Sequence, residues 1–342
     1  MDKFYTNDIE IRLIYENMNN LNIDKYEFCT YLLSCGSIDI IEEYKYLFNR
    51  YVYNDAALYG RLDVLKWVKN SGYEWDIEIC SFAAKGGHLD ILIWLLENGC
   101  PYSQFVCYYA AENGDIKILQ WARNNGYQWD TFTSSAAASS RNLDLLIWLS
   151  ENGCPLDEWI CHYAAENGDI KILQWARNNG CEWNEETCVY AAENKQLDTL
   201  IWLHTHDCPW NTHVCINAAS NGDIKMLQWA RNNDCEWDER SCSAAAQNKH
   251  LEVLQLLVRH NCPWDEDVCN YAALNGDIEM LKWARDNGCE WSKKTANNAT
   301  IGNNLDTLKW LFENNCPRNI DDINGYAIKF EYIEIIEWLK DI

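Results

Sequence analysis

Apolar positions in this chain recur at a helical period, and the whole pattern then recurs every 27 residues. In residues 184–210, NEETCVYAAENKQLDTLIWLHTHDCPW, Leu197, Leu200, Ile201 and Trp202 stand at i, i+3, i+4 and i+5, a stripe for one face of a helix. A shorter helix precedes it, marked by Cys188, Tyr190, Ala191 and Ala192. The column that opens each pattern reads Asp76, Ser103, Asp130, Asp157, Asn184, Asn211, Asp238, Asp265, Ser292 and Asn319. Each is a short polar side chain able to accept from a free N–H at a helix start. Two further columns favour the left-handed backbone that ends helices. One holds Gly60, Gly87, Gly114, Gly168, Gly222 and Gly276, with Lys, Arg or Asn in other repeats. The second includes Gly72, Gly99, Gly126, Gly153, Gly180, Asp207, Asp234, Asn261, Gly288 and Asn315. The prediction is a helical hairpin in every repeat, without strands or an interdomain linker. One hairpin cannot bury its apolar face alone, so the repeats must stack.

Tryptophan marks the register. Trp67, Trp94, Trp121, Trp148, Trp175, Trp202 and Trp229 are 27 residues apart, Leu256 takes the next place, and Trp283 and Trp310 follow. A second period lies on top. YAAENGDIKILQWARNNG occupies 109–126 and again 163–180, 54 residues on. All five prolines share that spacing, and the residue after the marker alternates: Leu95, Ala122, Leu149, Ala176, Leu203, Ala230, Leu257, Ala284, Leu311. Large and small side chains in turn are what facing layers need to interlock. Recent duplication of a pair would leave the same mark.

The pattern AA-x-N-G-D-I-x-x-L-x-W-A-R-x-N-G-C-x-W-D resembles the ankyrin repeat, AA-x-x-G-H-L-x-x-V-x-x-L-L-x-x-G-A-D-V-N, from about Cys29 to the end of the chain. The resemblance implies an all-α, ankyrin-type solenoid of stacked helical hairpins. Ankyrin units are about 33 residues long, so about six are missing here, where the family carries its β-hairpin finger. Fingers should therefore be short or absent, and contact with a ligand through them is in doubt. The family's T-P-L-H is also absent. Short repeats rich in Trp and Cys are similar to ankyrin-like proteins of giant amoeba-infecting viruses. The expected organisation is an N-terminal segment and capping unit over 1–50, tandem repeats over 51–317, and a C-terminal capping repeat over 318–342.

Composition narrows the function. The net charge is −24, with no basic stripe to neutralise phosphates, which argues against nucleic acid and against anionic membranes. It suits solubility or a partner protein with basic features. No apolar run is long enough to span a bilayer, and the N-terminus lacks the form of a secretory signal. The seventeen cysteines are then expected as reduced thiols in the cytoplasm, or the host cytoplasm if the source is viral, of a monomeric protein. No catalytic or phosphate-binding motif occurs, and no cofactor is expected.

The helix tryptophans are read as core, so that Trp175→Ala would cost on the order of 3–5 kcal/mol. The loop tryptophans, Trp75, Trp129, Trp183, Trp210, Trp237, Trp264 and Trp291, are read as packing under the loops. Cysteines seven apart, such as Cys154 and Cys161 or Cys208 and Cys215, lack zinc-knuckle spacing and are read as small buried hydrophobes. HTHDCPWNTHVC, residues 204–215, gathers His204, His206, His213, Cys208 and Cys215, but its histidines stand at spacings that point them apart.

What varies between repeats should carry recognition. One variable column contains Tyr108 and His162, and the residue after the Ala-Ala pair is Glu112, Glu166 or Glu193 in three repeats. The resemblance places that second column towards a concave groove. A third column is mostly charged (Glu78, Glu186, His213, Arg240, Asp267, Lys294) yet holds Phe105, Phe132 and Trp159 in consecutive repeats. Exposed, these rings are a protein-binding hot spot; folded inward, they pack against shortened loops. The candidate protein-binding residues are Phe105, Tyr108, Glu112, Phe132, Trp159, His162, Glu166 and Glu193. The function read from all this is a non-enzymatic protein–protein interaction scaffold. The alternatives are a substrate adaptor for ubiquitin ligase machinery, recruited through residues 1–28, and a metal-dependent enzyme built on residues 204–215.

Overall fold

A computed structural model describes residues 2–21, 23–48, 52–72, 74–101 and 103–341. It is all-helical, with no strand among the described residues. It divides into two compact bodies, Met1–Ile160 and Cys161–Ile342. The second helices of the hairpins begin at Leu62, Leu89, Ile116, Leu143, Ile170, Leu197, Ile224, Leu251, Ile278 and Leu305, each 27 residues after the last. In the first body, Val52–Leu58 packs on Ile79–Lys85, that helix on Phe105–Glu112, and that on Thr131–Ser139. In the second, Glu185–Glu193, His213–Ser220, Glu239–Gln247, Asp267–Leu274, Lys293–Ile301 and Ile320–Lys329 pack in the same serial way. The first helices are thus stacked directly, and the fully buried alanine pairs at their centres, such as Ala110–Ala111 and Ala218–Ala219, allow the close approach.

At the N-terminus the helix Asp2–Glu16 is fastened to the hairpin that follows. The Asp8 carboxylate accepts from Ser37 N and Ser37 Oγ, and Arg12 pairs with Glu43 at 2.8 Å.

The side chains of all ten opening residues accept a backbone N–H at the start of a first helix. Asp130, for example, accepts from Thr133 N at 3.1 Å, Asn184 from Glu186 N at 3.0 Å, and Asp157 from Trp159 N at 3.1 Å. The closing columns take positive φ, including the side-chain-bearing Arg141, Lys195, Asp207 and Asn261.

The tryptophans correct the sequence reading. The fully buried side chains of a second helix are those at Ile118, Leu119 and Ala122, or at Leu200 and Leu203 beside Thr199. Trp121 and Trp202 lie one step around the helix and are half-buried, as are the other helix tryptophans. Six of the seven loop tryptophans pack on the helix tryptophan 19 residues later, among them Trp75 on Trp94 (5.9 Å), Trp129 on Trp148 (5.5 Å), Trp183 on Trp202 (5.8 Å) and Trp210 on Trp229 (5.5 Å); Trp237, with Leu256 in that place, meets His260 instead. The rings form a partly wet row outside the aliphatic layer. Truncating a half-buried ring such as Trp175 should therefore cost about half the ~3–5 kcal/mol of a core tryptophan.

The 54-residue period has a cause in hydrogen bonding. A helix that ends inside a stack leaves carbonyls without partners. Two devices supply them in alternate repeats. In one, an asparagine reaches back: Asn113 Nδ2 donates to Ala84 O and Lys85 O, Asn221 Nδ2 to Ala192 O and Glu193 O, and Asn275 Nδ2 to Ala246 O and Gln247 O. In the other, a side chain two residues further along does so: His88 Nε2 bonds Leu58 O, His250 Nε2 bonds Ser220 O, and Asn304 Nδ2 donates to Ala273 O and Leu274 O. This second side chain lies over the turn of the repeat before it. A Cβ at Gly222 would stand 2.8 Å from the His250 ring, and Gly60, Gly114, Gly168 and Gly276 face His88, Asn142, Gln196 and Asn304 in the same way.

Asn221→Ala should lower stability by about 1 kcal/mol in urea denaturation, because Glu193 O loses its side-chain donor while Ala192 O keeps the N–H of Lys195. Asn194→Ala, whose side chain bonds only Tyr190 O of its own helix, serves as control and should move the midpoint little. Equal shifts for the two would sink the account of the reaching asparagines. Gly180→Ala meets no neighbour and should cost only the ~1–2 kcal/mol of left-handed backbone, whereas Gly222→Ala should cost more, the excess vanishing in His250→Ala.

Candidate interaction surface

The third column sits where the caps put it. Asp76, Ser103, Asp157, Asn211, Asp238, Asp265 and Ser292 each accept from the backbone N–H of the residue two further on, which is the column's own member. With its N–H held by the cap, each member projects from the helix start, and every one of them is exposed. Phe105, Phe132 and Trp159 are 44%, 63% and 42% exposed, so the rings do not fold inward. All three belong to the first body, and Ile77, also in that body, adds an exposed apolar side chain at 56%.

Phe105, Tyr108 and Tyr109 stand at i, i+3 and i+4 on the helix Phe105–Glu112. With Gln104, Asp130 and Phe132 they line a cavity of about 300 Å³. The next repeat carries small side chains, Ser135 and Ala136, where Tyr108 and Tyr109 stand, which leaves room for the hollow. The Tyr108 and Tyr109 rings meet edge to face at 5.2 Å, and Lys85 Nζ lies 5.4 Å over the Tyr109 ring. A second hollow of about 680 Å³ shares Gln104, Phe105 and Asp130 and adds Ile77, Glu78, Ser103, Gly126, Tyr127 and Gln128. Phe105 is the aromatic wall common to both.

The structure therefore gathers Phe105, Tyr108 and Phe132 around one cavity. Trp159 continues the exposed column without lining it, and Glu112 is exposed elsewhere on the Phe105–Glu112 helix. His162 is not on a surface at all: it is 6% exposed, with Nε2 3.2 Å from Asn184 Oδ1 and its ring 5.2 Å from that of Tyr190. Its column is largely a seam between repeats. Ser81 Oγ bonds Ser103 Oγ, Ser135 Oγ donates to Asp157 Oδ1, and Thr295 Oγ1 donates to Asn270 Oδ1. Variation there matches one repeat to the next. Glu193 is exposed and Glu166 half-buried, both in the second body, and the Glu193 carbonyl is one that Asn221 holds. Sequence reasoning missed Tyr109, whose column is Tyr in four repeats and Ala or Asn in four, and Asp130, which reads only as a cap.

In the second body two hollows repeat the same columns 54 residues apart, Gln174, Arg177, Asn178, Trp183, Trp202 and His206, then Gln228, Arg231, Asn232, Trp237, Leu256 and His260. In both, an arginine covers the tryptophan, at 4.3 Å for Arg177 on Trp183 and 4.7 Å for Arg231 on Trp237. The histidines of residues 204–215 are also engaged by rings and caps. His204 stacks on Trp210 at 4.2 Å, His206 on Trp202 at 4.1 Å, and His213 Nδ1 meets Asn211 Oδ1 at 3.2 Å.

The cysteines are free, and all but Cys35 are buried. The thiols that interact are twenty apart: Cys80 Sγ donates to Cys100 Sγ at 3.0 Å, and the thiols of Cys188, Cys215, Cys242 and Cys269 are each pushed up first by the cysteine twenty residues later. Loop thiols also close their own repeat, as when Cys208 Sγ donates to Asn184 O at 3.5 Å. Burial pushes the Cys107 and Cys154 thiols up to about 12 and Cys316 to about 11.

No model of a known protein family matches the sequence, and no curated protein matches it. Among solved structures the chain is similar to the human ASB11 ankyrin repeat domain, at 14% identity over 46% of this chain and 84% of that one, with a TM-score of 0.39. It is also similar to the pentatricopeptide repeat protein PPR10 in complex with an 18-nucleotide psaJ RNA element, at 11% identity over 93% of this chain and 58% of that one, with a TM-score of 0.47. PPR10 from maize is matched at 11% identity over 96% of this chain and 66% of that one, with a TM-score of 0.30. Likeness this distant says nothing of a ligand. No helix among the described residues is long and apolar enough to cross a membrane.

The thiols set a pH dependence. Their folded values lie above the ordinary 9.0, so the unfolded chain loses these protons first. The stability they contribute is whole below pH 9.0 and drains away as the pH rises through 9.0 towards 12. Under reducing conditions the Tm should fall as the pH rises from about 9 towards about 12, and fall less steeply in Cys107→Ala/Cys154→Ala. Identical slopes would show that these two thiols do not titrate on unfolding.

Proposed function

We propose that the chain is a non-enzymatic protein-binding scaffold of short ankyrin-type repeats. Capping segments at 1–50 and 318–342 flank the tandem repeats of 51–317. The observation that carries the reading is the exposed row Phe105, Phe132 and Trp159. Their column is otherwise charged or carries a histidine, and three large rings in consecutive repeats there keep much of their surface exposed. Stacked helices hold the rings in place before a partner arrives, so little ordering entropy is spent on association. The partner is a protein with basic features, since the chain carries a net charge of −24. The likeness of the short repeats to those of giant amoeba-infecting viruses would make that partner a host protein, met in the host cytoplasm.

The test is a quantitative pull-down from cell lysate with wild type and with Phe105→Ala/Phe132→Ala/Trp159→Ala, after circular dichroism shows both folded. Exposed rings contribute little to stability, so the triple variant should fold normally and lose the captured proteins. Retention of the same proteins by the variant would remove the aromatic row from the reading. Capture of nothing specific by either would remove the scaffold function itself.

A further inference from the structure

The cavity beside Phe105 has a composition that selects one kind of chemical group. Phe105, Tyr108, Tyr109 and Phe132 supply rings whose faces are electron-rich, and Asp130 supplies a carboxylate. The adjoining hollow adds Glu78. No lysine or arginine is among the described residues that line either one. Lys85 approaches only the Tyr109 ring, which leaves Phe105 and Phe132, the two most solvent-exposed rings of the set, to meet something from outside. Rings and an uncompensated carboxylate together attract a cation, in a molecule whose net charge already draws cations in.

The two cationic side chains differ in what they need. A lysine ammonium is a strongly hydrated point charge and gives up water reluctantly. A guanidinium is planar and weakly hydrated; it stacks on rings and forks onto a carboxylate. The protein uses both halves of that chemistry on its own residues in the same body. Arg123 covers Trp129 at 5.1 Å, and Arg61 donates through Nε and Nη2 to the two oxygens of Asp63.

We propose that the cavity lined by Phe105, Tyr108, Tyr109, Phe132 and Asp130 takes an arginine side chain of the partner protein. The guanidinium stacks against Phe105 and Phe132 and donates to the Asp130 carboxylate. This rests on the scaffold reading above and specifies its chemistry. Asp130 keeps its capping oxygen while doing so, since Thr133 N uses Oδ1 alone.

The probe is a fluorescein-labelled Gly-Arg-Gly-Arg-Gly peptide at physiological ionic strength, compared with its lysine and citrulline counterparts by fluorescence polarisation up to millimolar concentration. The arginine peptide should bind about tenfold more tightly than the lysine peptide, and the neutral citrulline peptide should not bind. Asp130→Asn retains a side chain that caps well and should weaken the arginine peptide about tenfold. Phe132→Ala should do the same, and Asp286→Asn, an exposed carboxylate in the second body, should do nothing. Equal binding of the arginine and lysine peptides, or equal losses from Asp130→Asn and Asp286→Asn, means attraction by net charge and overturns the pocket. Absence of binding by the arginine peptide overturns it too. If the lysate pull-down still depends on the aromatic row while the arginine peptide shows no preference, the pocket falls and the scaffold stands.

Discussion

Carbonyl groups at the end of a helix need donors, and in a stack of short helices the donors must come from the next repeat. The serial packing in both bodies answers to that need. Asn113, Asn221 and Asn275 reach the carbonyls of one kind of repeat, and His88, His250 and Asn304 reach those of the other. Buried apolar surface supplies the attraction between hairpins, through Ala-Ala pairs and the layer that includes Ile118, Leu119 and Ala122. The hydrogen bonds decide register. A hairpin displaced along its neighbour would keep much of its apolar contact and strand its carbonyls.

The two ends of each first helix are consequently used for different things. The C-terminal end is occupied by the neighbouring repeat. The N-terminal end takes a cap from its own repeat, so the side chain two residues beyond the opening residue starts the helix on an exposed face, where Arg240 and Lys294 also bond side chains of the preceding repeat. Charge fills that place in most repeats, and rings fill it in three. The Phe105–Phe132 cavity opens there, beside carboxylates that the caps already require.

Features fixed by local geometry were legible in the sequence. The cap column needs only a short side chain and a free N–H, and Asp130 and Asn184 behave as that requirement dictates. The closing columns need only a tolerated positive φ, and even Arg141 and Lys195 adopt it. Depth was less legible. A ring at a fixed place shows that Trp121 or Trp202 makes a constant contact, yet periodicity cannot say whether the contact is inside the core or along its rim. Partners distant in the chain were the hardest. Cysteines seven apart on paper are twenty apart in their actual pairs, because the loop folds back on its own repeat. Variation misled at His162 for a related reason: residues at a seam between repeats change together with the neighbour they touch, and look as free as residues facing a ligand. Exposure of Phe105, Phe132 and Trp159 was open on the sequence and is decided by the cap that fixes the helix start.

Consider how such a chain can change its length. Excision of residues 211–237 would seat His250 against Lys195, whose side chain would occupy the space that Gly222 leaves open. It would also remove Asn221, the donor to Ala192 O and Glu193 O. Excision of residues 184–237 would instead seat His250 over Gly168, a glycine already suited to a side chain from above. Growth and loss by recombination are then quantised: the viable step is a pair of hairpins, and a single hairpin gained or lost is a frame error of the fold.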